Sequence, residues 1–345
     1  MAGQPPFLYP PASREDTVDD YHGTEVADPY RWLEDPFAAD TQAFVAAQND
    51  LTLPYLASLP ERTALAERMR ETWNVPRTSA PVARSGVKVW SHNDGLADQP
   101  VIIVENLDGQ RRVLIDPNTM SDDGAVAITQ TSLSPDGRLL AFNIAEAGSD
   151  WQVIRCVRTA DGVQLDDEIH HVKFSEVTWH GDGFFYSRFP AIDPTSTETV
   201  RNQTVWYHTL GTDQSDDRLI FENTEDPDPG YSAQMTPDEQ YLVLIEWVGT
   251  SRANGVLYRP LDDEAAAGWI RLVEPGVGQH LVLAHVGGEF IVHTDVDAPN
   301  GRVVRIALDR PDTHLDVIGE GRHPIAAAGA AAGGLWIMSL EKASH

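Results

Sequence analysis

Cysteine is all but absent: Cys156 is the only one in 345 residues, so no disulfide can form within the chain and a reducing compartment is expected. Its setting, Val153-Ile154-Arg155-Cys156-Val157, alternates like a strand, which predicts a buried structural thiol. Lysine is nearly as scarce, occurring only as Lys88, Lys173 and Lys342. The 53 acidic residues outnumber the 25 basic ones and leave a formal charge of −28, a field that repels phosphate backbones and excludes nucleic acid as a partner. No apolar run approaches the roughly eighteen residues of a membrane span. The opening residues, with Pro5, Pro6 and Pro10, have neither the basic nor the apolar region of a secretion signal. A cytoplasmic protein is the expectation, and the glycosylation acceptor Asn202-Gln203-Thr204 then carries no weight.

Catalytic signatures are missing as well. There is no Gly-rich phosphate cradle, no His-Glu-x-x-His and no paired Cys-x-x-Cys, so neither cofactor nor metal is expected. A hydrolase nucleophile elbow needs Gly-x-Ser-x-Gly on a strand-to-helix turn. The nearest approach, Gly230-Tyr231-Ser232-Ala233-Gln234, fails at its last position and is followed by a strand, so it reads as a loop leading into a β-unit. His170 and His171 are adjacent, and on a strand they would face opposite sides; Asp166-Asp167-Glu168 reads as a solvated turn. No catalytic residue is identified.

What the chain does contain is a rhythm. Turn signals stand at Ser85-Gly86, Asp136-Gly137, Asp182-Gly183, Asp238-Glu239, Gly287-Gly288 and Gly333-Gly334, spaced 51, 46, 56, 49 and 46 residues apart. An apolar strand follows each: Val87–Trp90, Leu139–Ile144, Phe184–Phe189, Tyr241–Val248, Phe290–Thr294 and Leu335–Leu340. Further strands are expected at Val101–Glu105, Val153–Val157, Val205–Leu210, Val256–Arg259 and Val303–Leu308. A repeat of about 40–50 residues built from short strands is the mark of a β-propeller with one four-stranded blade per repeat. The last copy is cut off soon after it starts, which predicts five blades and part of a sixth.

Residues 1–75 differ in kind. Asp35-Pro36 predicts a helix start, with Phe37, Phe44, Val45, Leu51 and Tyr55 near helical spacing and Pro54 expected to kink or end it. A second helix is expected from Pro60-Glu61, with Leu65, Met69 and Trp73 forming a packing stripe. The domain reading is therefore a helical segment over 1–75 and a truncated propeller over 76–345.

Several strings in order resemble the prolyl oligopeptidase family of serine peptidases. They begin with Tyr21-His22-Gly23 and Asp28-Pro29-Tyr30-Arg31-Trp32-Leu33-Glu34-Asp35. Leu114-Ile115-Asp116-Pro117-Asn118, Ser121-Asp122-Asp123-Gly124 and Ser134-Pro135-Asp136-Gly137 follow. Gly148-Ser149-Asp150-Trp151, Val172-Lys173-Phe174-Ser175 and Gly211-Thr212-Asp213-Gln214-Ser215 complete the set. Ser-Pro-Asp-Gly alone is common among propellers; the ordered set from residue 21 to about 220 is specific.

The resemblance implies a mainly β fold: an incomplete seven-bladed propeller, preceded by helices belonging to an α/β-hydrolase domain that holds the catalytic Ser, Asp and His after the propeller. This chain alone would then be inactive, while a monomeric full-length parent cleaves short proline-containing peptides after proline. In such a protein Asp150 is implied at an interdomain contact and Phe174 at the outer substrate pocket. Trp247 stands where relatives carry an arginine, so stacking would replace polar recognition. Each has a plainer reading: Asp150 as a turn residue, Phe174 as a blade-core aromatic, Trp247 as packing. Two alternative functions remain, a sibling peptidase of the oligopeptidase B type with basic preference and a non-catalytic propeller that binds partners.

Overall fold

The computed structural model describes residues 7–191, 200–261, 268–331 and 333–342. They fall into two compact units, one built mainly from residues 7–77, the other from 78–92, 98–190 and 201 onward.

The smaller unit starts with an extended arm and a hairpin, Val18–Tyr21 against Thr24–Ala27. His22 and Gly23, both at positive φ, form its two-residue turn, the mirror-image type whose twist matches the flanking strands. Two helices follow, Ala39–Ala57 (α1) and Arg62–Trp73 (α2). The first begins later than the Asp35-Pro36 signal predicts, because the Asp35 carboxylate accepts from the Phe37 amide and closes a separate turn instead. It also runs through Pro54, whose carbonyl still accepts from the Ser58 amide in the last turn. Tyr55 packs edge-on against Phe7 and Phe44 against Trp32, fastening α1 to the arm and to the turn just ahead of it. The α2 stripe of Leu65, Met69 and Trp73 is exposed.

The larger unit is a β-propeller segment. Its first sheet is five-stranded and includes Val82–Arg84, Val87–Asn93, Val101–Glu105 and Arg111–Ile115. Four four-stranded sheets follow, over residues 126–172, 178–221, 230–273 and 280–318, and then a hairpin, Ile325–Ala331 with Gly334–Ser339. Each of the four four-stranded sheets is a simple antiparallel meander in chain order. All six strands expected after the turn signals are present, with ends shifted by a few residues.

Alternation explains how these sheets stack. In Leu139–Glu146, Leu140, Phe142 and Ile144 enter the core shared with the first sheet, while Ala141 enters the core shared with the third. The third sheet divides its aromatics the same way, Phe184 and Tyr186 to one side and Phe185 to the other. Leu242 and Leu244 face the third sheet and Val243 the fifth. Side chains on a strand point alternately to opposite faces, so a strand covered on both faces must be apolar throughout. Four cores result, one at each seam between successive sheets. In every sheet the pairing of the last two strands slips register, as between Ile102 and Ile103 or Val256 and Leu257. Such bulges increase local twist, which lets successive sheets splay around an axis.

The repeat is also visible in its turns. The Gly137 amide donates to the Ser134 carbonyl at 2.9 Å, the Leu139 amide to Ser134 Oγ, and Gly137 takes φ +73°. Thr236-Pro237-Asp238-Glu239 repeats this arrangement, with Glu239 at φ +57° in the slot glycine occupies before.

Cys156 is fully buried between the second and third sheets, and burial raises its pKa to about 12, so it is an inert core thiol.

Candidate functional site

Where the second sheet leads into the third, the backbone leaves regular geometry. His171 and Phe174 have φ of +60° and +53°, and the nearby loop contributes Ala147 at +49°. Left-handed φ on a bulky side chain costs roughly 1–2 kcal/mol and persists only where the surroundings over-determine it. They do so here. The Lys173 carbonyl accepts from Gln203 Nε2 at 2.9 Å, and the Ser175 carbonyl accepts from Asn143 Nδ2 at 3.1 Å. Ser175 Oγ takes the Ser187 amide at 2.7 Å, and the His171 carbonyl takes the Phe189 amide at 3.0 Å. Phe174 is thus held between two locked residues and its side chain is turned outward.

Phe174 is 51 % exposed, so its ring is not part of a blade core. It meets the half-buried Trp247 edge to face, with centroids 6.0 Å apart and planes at 86°. Trp247 ends the strand Tyr241–Trp247 and lies flat over Gly230, where a Cβ would sit 2.0 Å from its ring. Any side chain at 230 would displace the indole. Lys173 Nζ lies 5.1 Å from the Phe174 centroid and 5.6 Å from that of Trp151, and pairs with Asp150 Oδ2 at 3.3 Å. Trp151 in turn packs edge-on against Phe189. Asp150, Phe174 and Trp247, separate in sequence, therefore meet in one cluster with Trp151 and Lys173. It offers two aromatic faces and a carboxylate, with the ammonium already engaged by Asp150 and two rings. Such a surface suits an extended peptide: apolar groups for stacking and few unpaired charges.

A second concavity lies elsewhere. A cavity of about 530 Å³ opens on the first sheet, lined by Lys88, Trp90, His92, Ile103, Glu105 and Arg111 among others. Its charges serve each other, since Glu105 binds both Lys88 and Arg111 at 2.6 Å and is held below the usual carboxylate range by them. It presents an open sheet face rather than convergent chemistry.

Three sequence readings are corrected. Asp166-Asp167-Glu168 is not a solvated turn; it lies in the strand Gln164–Val172, with Asp167 buried. The signal was alternation, because Leu165, Asp167 and Ile169 share the inward face. Asp167 accepts from the Gly211 amide at 2.6 Å and faces His208 Nε2 at 3.0 Å, while His208 Nδ1 faces Asp217 at 2.7 Å. Tyr186 donates to the same Asp217 at 2.5 Å. Burial opposes a charge on His208, but the hydrogen bonds and charges of Asp217 and Asp167 outweigh it and raise its pKa. With both nitrogens on carboxylates and no exposure, His208 braces the seam and cannot act as a general base. In addition, His170 and His171 do not face opposite sides: both are exposed with centroids 6.4 Å apart, since the left-handed φ of His171 breaks the alternation. The segment Gly230–Met235 is itself a strand rather than a loop leading to one.

Among the described residues no helix is long and apolar enough to cross a membrane. The family model described as the prolyl oligopeptidase N-terminal beta-propeller domain matches residues 10–343. Prolyl endopeptidase from Elizabethkingia meningoseptica is 34% identical over 323 residues, covering 92% of this chain and 45% of the relative. Prolyl oligopeptidase A from Amanita bisporigera is 29% identical, covering 89% and 45%. A solved structure of prolyl oligopeptidase B from Galerina marginata, bound to a 35mer hydrolysis and macrocyclization substrate, superposes with a TM-score of 0.84 at 28% identity. It covers 99% of this chain and 52% of its own. The chain spans about half the length of the relatives it matches.

Proposed function

The chain belongs to the prolyl oligopeptidase family through its amino-terminal β-propeller domain, and from that premise we propose that it gates a cytoplasmic serine endopeptidase that cleaves short peptides after proline. In this reading the serine, aspartate and histidine of acyl transfer come from an α/β-hydrolase half, and the helical segment 1–75 packs with that half. The propeller supplies the cover. A narrow, dry compartment admits short or unfolded peptides and keeps folded proteins from the nucleophile. The nucleophile, base and orienting carboxylate act as a unit, so the propeller alone performs no turnover.

The observation that carries the reading is the cluster at residues 147–151, 172–174 and 247, set in a fold whose relatives are named prolyl endopeptidases. Phe174 and Trp247 form the apolar wall of an outer substrate pocket. Asp150, bound to Lys173 yet 60% exposed, keeps an oxygen free for the partner domain. The absence of an arginine at Trp247 predicts indifference to an acidic group at the outer end of the peptide.

The test is to express this propeller joined to its hydrolase half and compare substrates. Short peptides should be cut after proline, and folded proteins with surface prolines should be spared. Cleavage after arginine or lysine instead, or digestion of a folded protein, would reject the proposal.

A further inference from the structure

One ring of the candidate pocket stands on the loop between the second and third sheets and the other on the fourth sheet, and one buried amide joins their backbones. Gln203 is 2% exposed. Its Nε2 donates to the Lys173 carbonyl at 2.9 Å, one residue before Phe174. Its Oε1 accepts from the Tyr231 amide at 2.6 Å, one residue after Gly230, and Gly230 is the cross-strand partner of Trp247. The Trp247 ring rests on Gly230, so the position of the indole follows that backbone. On the far side Tyr231 is fixed by its own hydroxyl, which faces Glu246 Oε1 at 3.2 Å and Asn223 Nδ2 at 2.9 Å. Glu246 is clamped in turn by Arg271 at 2.5 Å. The Gln203 amide therefore bridges two anchored backbones.

We infer that Gln203 is the positioning residue of the pocket: its amide, donating to the loop that carries Phe174 and accepting from the strand beside Trp247, sets the spacing of the Phe174 and Trp247 rings. The inference rests on the reading of that pair as a peptide contact. An amide does this because it carries donor and acceptor on one rigid plane. A carboxylate of the same shape keeps the acceptor, loses the donor and sets a charge against the Lys173 carbonyl; the protonated acid regains the donor. Burial favours the neutral acid and raises the pKa of an introduced carboxyl.

The experiment uses the full chain with isotope-labelled phenylalanine. Phe174→Leu assigns the Phe174 signal, and Trp247→Leu gives its position without the ring current of the indole. In Gln203→Glu the signal should keep its wild-type position in mild acid and move toward the Trp247→Leu position as pH rises, while wild type shows no such transition. Gln203→Met should lack the ring-current displacement at every pH. A purely structural role would not respond to the proton. A Phe174 signal that stays at its wild-type position throughout the pH range in Gln203→Glu, or is displaced equally at all pH, overturns the inference. Should Gln203→Met fail to fold, the Gln203→Glu titration decides alone. A final arm adds a proline-containing peptide to wild type. If the Gln203→Glu transition occurs but peptide leaves the Phe174 signal unmoved, the pocket reading fails and the positioning role stands.

Discussion

The seams between the second, third and fourth sheets and the face of the closing hairpin are built from the same kinds of strand, yet they end in different states. Phe184, Tyr186, Leu242 and Leu244 are buried to within a few percent, whereas Trp336, Ile337 and Met338 stay partly open. The contrast extends to polar groups. His208, in the interior, has a carboxylate on each ring nitrogen. His293, on the fifth sheet and beside Ile325 of the hairpin through Gly301, is buried with neither ring nitrogen partnered. Strand quality alone therefore does not make a core. A blade is finished by neighbours on both faces, as expected where each repeat can bury its apolar side only against the next.

The sharpest way to break this comparison is to remove its polar brace. His208→Gln leaves Asp167 and Asp217 buried without their cation and should cost about 3–5 kcal/mol in chemical denaturation. The raised pKa also fixes the sign of the pH dependence. The stabilisation from His208 is complete below the ordinary histidine pKa and disappears as pH rises through the raised value, so wild type should weaken on the alkaline side and His208→Gln should not. The opposite holds for His280 and His293, whose pKa values burial pushes down. Their neutral forms favour the fold above the ordinary pKa, and stability falls as pH drops toward the lowered values. An acid limb left undiminished by His293→Phe and His280→Phe together would break that half of the comparison.

Next in size is the apolar contrast. Leu244→Ala should cost about 3 kcal/mol, while Ile337→Ala should stay within about 0.5 kcal/mol. Equal losses would mean that the hairpin is as well packed as the interior. Smaller still are two backbone tests. Phe174→Gly should be about 1 kcal/mol more stable than Phe174→Ala, because only glycine relieves the left-handed φ, and Glu239→Gly should gain a similar amount for the same reason. The least effect on stability is expected from Leu65→Glu with Met69→Glu on α2. These exposed positions should reduce binding of a hydrophobic dye and leave the melting temperature unchanged.

Much of the propeller was legible because its second strands are apolar on both faces and each follows a turn with a left-handed residue. Leu139–Glu146 and Tyr241–Trp247 could be placed from sequence to within a residue or two. The outer strands were harder. Arg310–Ile318 is mostly exposed and carries Pro311, Asp312 and Asp316, so its composition is that of a loop and only pairing makes it a strand. The helix start was misplaced because Asp-Pro serves a turn as readily as a cap. In the candidate site, Asp150, Phe174 and Trp247 were identified singly through the family resemblance. Their meeting depends on contacts between sheets that local spacing does not encode. Lys173 and Gln203 join them from positions that look like ordinary strand-end polar residues. The Asp167–His208–Asp217 brace was missed for a related reason: a run of three acids reads as solvent-facing unless alternation overrides composition.

Turnover tests directly the proposal that this chain covers a peptidase whose chemistry lies in another half. A succinyl-Gly-Pro chromogenic peptide should be untouched by the pure 345-residue chain and hydrolysed after proline once the chain is joined to its hydrolase half. Hydrolysis by the chain alone, abolished by a serine-directed inhibitor, would contradict the account.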